Sequence, residues 1–261
     1  MALILKSDQA TTDSTLPYLE ADAIINTGTK FVFDFADPSC WAAQRAPLNN
    51  ETFVNLVRGG NVATAVVPAT QSIGFVNGGL VSSAASAGER VLLPVEAKLA
   101  TTTQSFLFAV WIKHNATQLA GALHAVAGWA NNQLGADNVY SMAYNATIGR
   151  YEFFLNGAGS VYVPTGDGQI IQMVMGLIKV GSLYYRRLYI NGARQGADVL
   201  IAYTALNQTT NSSPQLGFVG GHVNDWNGTI YRSWLEDTGL SGANPDTQVA
   251  LDYAENSARF V

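Results

Sequence analysis

The chain has 261 residues, of which 48% are hydrophobic and only 13% are charged, about half the roughly 25% that is typical of soluble domains. The formal net charge is −5, and the Lys and Arg residues form no cluster beyond the pair Arg186–Arg187, so we expect no nucleic-acid partner, which would need a basic face. No stretch reaches the ~18 apolar residues of a membrane span and the first residues lack a basic leader, so neither membrane insertion nor a secretion signal is expected.

The first 28 residues are predicted to form an N-terminal arm. They contain several Thr, Ser, Asp and Pro residues and show no sustained alternation of polar and apolar side chains. We expect the arm to be held either by the rest of the chain or by a neighbouring subunit. Residues 29–261 are then predicted to form one β-sandwich domain, because sandwiches of more than ~200 residues are common as single units.

The sandwich is predicted to begin after Lys30, where Phe31, Phe33 and Phe35 alternate with other residues and share one face of a strand. Cys40, the only cysteine, excludes an internal disulfide and is expected to be a small buried hydrophobe. Further predicted strands follow at regular spacing between Gly, Asn and Pro turn signals. They cover residues 53–57, 73–76, 91–93, 105–113, 123–129, 140–144, 151–155, 216–219 and 228–235.

Residues 170–192 give the strongest local prediction. Two apolar and aromatic runs, 170–179 and 183–190, flank a short Gly/Ser turn, and the second run ends on Asn191–Gly192, so the segment predicts consecutive β-hairpins. The run 105–113 is apolar without interruption, which predicts a strand covered on both faces.

The chain is predicted to end in a helix of about residues 245–256. Asn244 is a capping residue and Pro245 suits the first helical position. We expect this helix to pack on a sheet edge. About a dozen short strands with scarcely any helix predict an all-β fold, a two-sheet antiparallel β-sandwich of the jelly-roll kind.

Residues 73–241 resemble the concanavalin A-like lectin/glucanase superfamily, and within it the laminin-G-like jelly rolls. The resemblance lies in the order of the segments 74–79, 91–94, 106–113 and 184–192 and of the Gly, Trp and Asn residues that follow. The matching residues of the last part are Leu216, Gly220, Gly221, Trp226, Asn227, Gly228, Ile230, Leu240 and Ser241.

Chains of this kind with an N-terminal arm resemble laminin-G-like proteins of bacteriophage tails and capsids. The resemblance implies a non-enzymatic structural protein of a phage particle: a tail, collar, fibre or capsid-surface component. Its partners would be other virion proteins and further copies of itself. The expected localisation is the virion, after folding in the bacterial cytoplasm.

No catalytic residue is assigned. Glycosidases of the superfamily carry clustered carboxylates, often as Glu-x-Asp-x-x-Glu, and this sequence has no such motif. The adjacent pair Glu236–Asp237 would point to opposite faces of a strand, so its members cannot converge on one bond. We therefore expect the protein not to be an enzyme.

The alternative function is a lectin-like module that binds glycans on the host surface. Sugar binding needs an aromatic platform beside polar groups, and two loops offer both. Their candidate residues are Trp129, Asn131, Asn132, His222, Asn224, Asp225 and Trp226. The competing interpretation is that Trp226 packs inside the sandwich while Asn224 and Asp225 build a turn.

No metal site is predicted. The histidines, His114, His124 and His222, are scattered and lack the spacing of zinc or copper ligands. Some laminin-G-like domains bind calcium at the sandwich rim, and Asp137, Asp167 or Asp225 would then contribute. Because each loop supplies a single carboxylate, we expect no cofactor, with calcium as the alternative.

Overall fold

The computed structural model describes residues 22–69, 72–82, 88–118, 123–130, 138–155, 158–206, 212–217 and 224–260. Within these ranges the chain forms eighteen β-strands, one 3₁₀ turn at Val95–Ala97 and two α-helices. The strands are β1 (Thr29–Asp34), β2 (Thr52–Phe53), β3 (Ala63–Val66), β4 (Gly74–Val76), β5 (Gly79–Ser82), β6 (Arg90–Leu92), β7 (Phe106–Lys113), β8 (Leu123–Ala130), β9 (Asn138–Asn145), β10 (Arg150–Leu155), β11 (Ala158–Tyr162), β12 (Ile170–Val180), β13 (Leu183–Ile190), β14 (Ala193–Arg194), β15 (Val199–Ile201), β16 (Gln215–Leu216), β17 (Asn224–Asp225) and β18 (Gly228–Glu236). The helices are α1 (Thr238–Ser241) and α2 (Pro245–Asn256).

The strands form two sheets. The first has the order β14-β13-β12-β7-β18-β5-β4, with β1 also paired to β18 and β15 to β13. The second has the order β11-β10-β9-β8-β16-β6-β3-β2, with β17 also paired to β8. Among the described strands every pairing is antiparallel except that of β17 with β8. The predicted two-sheet antiparallel sandwich with a short C-terminal helix is confirmed, apart from that one parallel pairing.

The strongest sequence prediction, the hairpin of residues 170–190, is also confirmed. Strands β12 and β13 pair from Met173 opposite Ile190 to Val180 opposite Leu183. Gly181 turns the chain with a φ of 62°, a conformation that favours glycine. The predicted strand 53–57 is shorter than expected, since only Thr52–Phe53 pairs with a neighbouring strand.

Strand β7 is covered on both faces, as its apolar run predicts. Phe108 and Val110 point into the space between the sheets and are fully buried. On the outer face, the Trp111 ring stacks on Tyr253 of α2 with ring centroids 5.7 Å apart. Phe260 meets the same indole edge-on at 5.3 Å. The C-terminal segment therefore forms a third layer over the first sheet.

Helix α2 begins as predicted, because the Asn244 side chain accepts hydrogen bonds from the backbone N–H groups of Asp246 and Thr247. It lies across the outer face of the first sheet rather than at its edge. Asp252 reaches Trp111 of β7 at 2.7 Å and Trp234 of β18 at 2.8 Å. In the described part of the chain, no helix is both long and apolar enough to cross a membrane.

A buried charge network fastens the outer layer. Arg232 of β18 has no exposed surface, and its guanidinium donates to Asp22 at 2.6 and 2.9 Å, to Asp252 at 2.9 Å and to Asp34 at 3.2 Å. Burial alone would lower the pKa of Arg232, but the carboxylates of Asp252, Asp22 and Asp34 raise it above its ordinary value. Arg232 therefore stays charged and links the segment before β1 to β1, β18 and α2.

Residues 22–28, predicted as the end of the arm, are attached to the sandwich. Ile24 is 1% exposed and belongs to the main core, and Asn26 donates its amide to Glu236 at 2.9 Å. The arm prediction for residues 1–21 falls outside the described residues. Cys40 is buried, as expected, and burial raises the pKa of its thiol.

Candidate functional site

The two tryptophans predicted as sugar platforms are core residues. Trp129 is 2% exposed, and its indole N–H donates to the carbonyl oxygen of Ser212 at 3.1 Å. Trp226 has no exposed surface and lies so close under Gly228 that a Cβ on that glycine would overlap its ring. Neither indole offers a face to a sugar, and the competing interpretation, that Trp226 packs inside the sandwich, is confirmed.

The polar members of the predicted loops are only partly described. Asn224 and Asp225 form strand β17, which pairs with His124 and Ala125 of β8 instead of making a free turn. Asn131, Asn132 and His222 lie outside the described residues. A glycan role for these polar residues stays a prediction.

A polar cleft of about 260 Å³ lies next to Trp226, at the end of the sandwich where β7 finishes and β12 and β18 begin. We call it the rim cleft. Its lining residues are Val81, Lys113, His114, Asn115, Asp167, Gly168, Asn227, Gly228 and Thr229. This volume is near the lower end of the ~300–1,000 Å³ common for small-molecule sites.

Hydrogen bonds fix two segments of the rim cleft against each other, the one after β7 and the one before β12. The His114 backbone N–H donates to the Gln169 carbonyl at 2.7 Å, and the Gly168 N–H donates to the His114 carbonyl at 2.9 Å. Asp167 accepts the N–H of Ala116 on Oδ1 at 2.7 Å. These two segments are therefore held in place before any ligand arrives.

The third segment of the cleft is held by an amide pair. Gln118 accepts the Asn227 backbone N–H at 2.9 Å and donates to the Asn227 carbonyl at 2.8 Å. The same residue donates to the Asn115 carbonyl at 2.7 Å. Gln118 therefore bridges the segment after β7 to the start of β18.

Several polar atoms of the rim cleft are left available. Among the described residues no partner is found for the Lys113 ammonium, the Asp167 Oδ2 or the Thr229 hydroxyl. The same holds for the second amide atom of two asparagines: Asn115 uses Oδ1 to cap Thr117, and Asn227 uses Nδ2 on the Thr117 carbonyl. Two donors, two acceptors and a hydroxyl thus remain for a ligand.

The cleft floor is neutral and aromatic. His114 is 4% exposed, with its Nδ1 2.7 Å from the Tyr151 hydroxyl, and Tyr144 meets its ring edge-on at 5.2 Å. Burial lowers the pKa of His114, and Asp167 opposes this only in part. Burial raises the pKa of Tyr151 well above its ordinary value. At neutral pH the imidazole is therefore uncharged and the phenol keeps its proton.

A larger cleft of about 500 Å³ lies at the opposite end of β7, beside Lys30, Lys98 and Asp237. Some of its polar side chains bond within the protein. Asp237 caps α1 by accepting two backbone N–H groups, and Gln104 accepts the Lys179 ammonium at 2.5 Å.

The acidic pair considered from the sequence has structural roles. Glu236 is fully buried, and its Oε1 accepts hydrogen bonds from Asn26 at 2.9 Å and from Ser241 at 2.5 Å. Asp237 is the α1 cap. Among the described residues that line the rim cleft, Asp167 supplies the single carboxylate.

Metal ligands are similarly sparse. Over the described ranges no group of three or more His, Cys, Asp and Glu side chains is arranged to hold a metal ion. Of the calcium candidates, Asp167 lies at the rim cleft, Asp225 lies in β17, and Asp137 falls outside the described residues. Calcium binding stays a prediction.

Sequence reasoning named Asp167 only as a calcium candidate and did not assign Lys113, Asn115, Asn227 or Thr229 to a site. These residues stand at the ends of predicted strands, and binding residues often lie where loops leave a rigid scaffold. Position at a strand end could have indicated these residues, but it applies equally to every other predicted strand and so does not single out one site.

No protein-family model matches the sequence, and no curated protein matches it. Among solved structures, Trypanosoma rangeli sialidase is similar with a TM-score of 0.61 and 12% identity, over 91% of this chain and 34% of that chain. The same sialidase in complex with sialic acid gives a TM-score of 0.60 and 12% identity, over 93% and 36%. Domain 4 of a Geobacillus stearothermophilus GH43 arabinanase, in complex with arabinotriose, gives a TM-score of 0.48 and 15% identity, over 87% and 98%.

This chain spans about a third of the length of the sialidase. At such low identity the likeness concerns the fold alone, a two-sheet β-sandwich.

Proposed function

We propose that this protein binds carbohydrate and that the rim cleft holds the sugar. The observation that carries the proposal is the set of unpaired polar atoms on Lys113, Asn115, Asp167, Asn227 and Thr229 around one cleft. A sugar hydroxyl both donates and accepts hydrogen bonds, so neighbouring hydroxyls on a ring suit a wall that mixes donors and acceptors. Because the backbone of the cleft is already fixed, little ordering would be needed on binding.

The lining supports binding without hydrolysis. Most glycoside hydrolases use two carboxylates placed ~5–9.5 Å apart, whereas the described lining of this cleft contains one, that of Asp167. A tyrosine can replace the carboxylate nucleophile in sialidases, but the raised pKa of Tyr151 disfavours the phenolate that attack requires. We therefore propose a binding module rather than an enzyme.

The solved neighbours suggest which sugars to test first. One sialidase structure holds sialic acid, so glycans that end in sialic acid lead the panel, with neutral glycans beside them. The Lys113 ammonium would suit the carboxylate of such a sugar, and Asp167 would suit its hydroxyls. A host-surface glycan is thus the proposed partner.

The test is a glycan array followed by titration of the best ligand. Asp167→Asn and Lys113→Met should each weaken binding at least about tenfold, equivalent to ~1.4 kcal/mol. Lys179→Met is the matched control, because Lys179 lies nine residues along β12 from Ile170, about 30 Å from the rim cleft. An array without binding, or rim-cleft variants that bind like the wild type, would contradict the proposal, and release of sugar from the ligand would contradict the non-enzymatic part.

As a second function we propose a structural role in a phage particle, through contacts of residues 1–21 with other copies or other virion proteins. The observation that favours it is the anchoring of Asp22 and Ile24, which fixes residue 22, the point where residues 1–21 join the rest of the chain. Deleting residues 1–21 should reduce the oligomeric mass measured by light scattering and leave the melting temperature unchanged. An unchanged mass would count against the structural role without affecting the sugar proposal.

A further inference from the structure

A third cleft, of about 400 Å³, opens on the side of the sandwich where edge strand β11 of the second sheet approaches β13 and β15 of the first. We call it the side cleft. Its wall contains the polar side chains of Arg186, Ser160 and Gln195. The apolar side chains of Val161, Leu188 and Val199 also line it. It is distinct from the rim cleft and shares no lining residue with it.

Arg186 is unusual because its buried guanidinium is only partly bonded. The residue is 6% exposed; its Nε donates to the Ser160 hydroxyl at 2.7 Å, and its Nη2 donates to the Gly159 carbonyl. Its Nη1 is buried and finds no acceptor in the part of the chain that the structure describes. A buried N–H without an acceptor destabilises the folded state, and more so when the group is charged.

Among the residues that the structure describes, no carboxylate neutralises this guanidinium. The acid nearest in sequence to the cleft wall, Asp198, is already paired with Arg187 at 2.6 Å and with Arg194 at 2.8 Å. Burial lowers the pKa of Arg186, and no acidic group opposes that effect. The fully buried Arg232, by contrast, is surrounded by three carboxylates.

We propose that the side cleft binds a small molecule bearing a carboxylate, and that this carboxylate pairs with Arg186. The carboxylate would supply the acceptor that Nη1 lacks. The Ser160 oxygen accepts a hydrogen bond from Arg186, so the Ser160 hydroxyl hydrogen is free to donate to the same anion. The side-chain amide of Gln195 adds a further donor in the wall of the side cleft. The apolar side chains would contact the rest of the ligand.

A purely structural clasp between the sheets explains the arrangement less well. A neutral side chain could bond Ser160 and Gly159 equally, whereas a buried charge without a counter-ion carries a large desolvation penalty. A bound anion offsets that penalty. Removing the charge from the unliganded protein should therefore leave its stability unchanged or raise it.

The test is calorimetric titration with two carboxylates of different origin, glucuronate and hexanoate, and with glucose as the neutral control. We expect at least one of the two carboxylates to bind, and we expect glucose to make no contact that depends on Arg186. Carboxylate binding should weaken as the salt concentration rises from about 20 mM to about 200 mM, because salt screens the charge. Arg186→Met should weaken carboxylate binding at least about tenfold. Arg150→Met is the control, because it removes an equal charge from the half-buried Arg150–Glu152 pair, which lies outside the lining of the side cleft, and should change the affinity less than about twofold.

The two probes separate the sources of the carboxylate. Binding of glucuronate alone would indicate a sugar acid, binding of hexanoate alone an aliphatic acid, and binding of both would support the carboxylate site without preference. If Arg186→Met does not fold, Arg186→Lys, which keeps the charge but loses the planar fork, and Ser160→Ala should each weaken binding. Absence of carboxylate binding, or equal binding by the wild type and the Arg186 variants, would overturn the proposal while leaving the rim cleft untested and unaffected.

Discussion

Replacing Asp252 by Asn tests whether the buried charge network holds the outer layer on the sandwich. The two oxygens of Asp252 accept hydrogen bonds from the side chains of Arg232, Asn256, Trp111, Trp234 and Gln172. An amide nitrogen in place of Oδ2 would face three N–H donors, whereas in the flipped orientation it would face the Arg232 guanidinium. Either arrangement leaves buried donors unpaired beside a charge that has lost one partner.

Breaking a buried ion pair in this way costs about 3–5 kcal/mol. At about 2–4 °C per kcal/mol for a domain of this size, Asp252→Asn should lower the melting temperature by about 6–20 °C in scanning calorimetry. The control is Asp246→Asn on the same helix, where the side chain is 56% exposed and pairs with Arg187, so a loss of less than about 1 kcal/mol is expected. If both variants melt within about 2 °C of the wild type, the network does not carry the stability assigned to it.

Three further predictions concern the fold around the site. Burial raises the pKa of Glu236, so between the unfolded value near 4.5 and the higher folded value the folded state binds more protons than the unfolded state. The stability of the wild type therefore falls as pH rises through that window. The melting temperature of Glu236→Gln should rise relative to that of the wild type between pH 4 and pH 7, and a constant difference would contradict this. Gly228→Ala should cost about 1–3 kcal/mol because its Cβ would overlap Trp226, while Gly166→Ala, which meets open space, should stay within about 0.5 kcal/mol in chemical unfolding. Deleting residues 1–28 instead of residues 1–21 should destabilise the sandwich in the same assay, because the longer deletion also removes Asp22, Ile24 and Asn26 with their buried contacts. A fully stable product would show that these contacts are dispensable.

The elements whose signals are local could be predicted from the sequence. The turn at Asn191–Gly192 has positive φ at both residues, 50° and 77°, which is the conformation that an Asn-Gly pair favours. The helix start at Asn244–Pro245 has the same character, because capping chemistry depends on neighbouring residues alone. Such elements need no knowledge of what packs against them.

The site could not be predicted because it depends on register. Lys113 is opposite Ile170 of β12 on one side and Thr229 of β18 on the other, and that alignment brings three distant segments to one cleft. A shift of one residue would turn the same side chains to the other face. The burial of Trp129 and Trp226 could not be predicted for a related reason. The local sequence around an aromatic residue at a strand end is the same whether its side chain faces solvent or the core.

The most direct test of the central claim is to map the bound sugar by amide chemical-shift changes, using the best ligand from the array. If the sugar sits in the rim cleft, the largest changes occur at Ala116, whose N–H is bonded to Asp167, at Gly168 and at Asn227. The same titration should leave amides around Asp237, at the opposite end of β7, unmoved. Changes confined to residues 131–137, or to the cleft beside Lys30 and Asp237, would place the sugar elsewhere and contradict the rim cleft as its binding site.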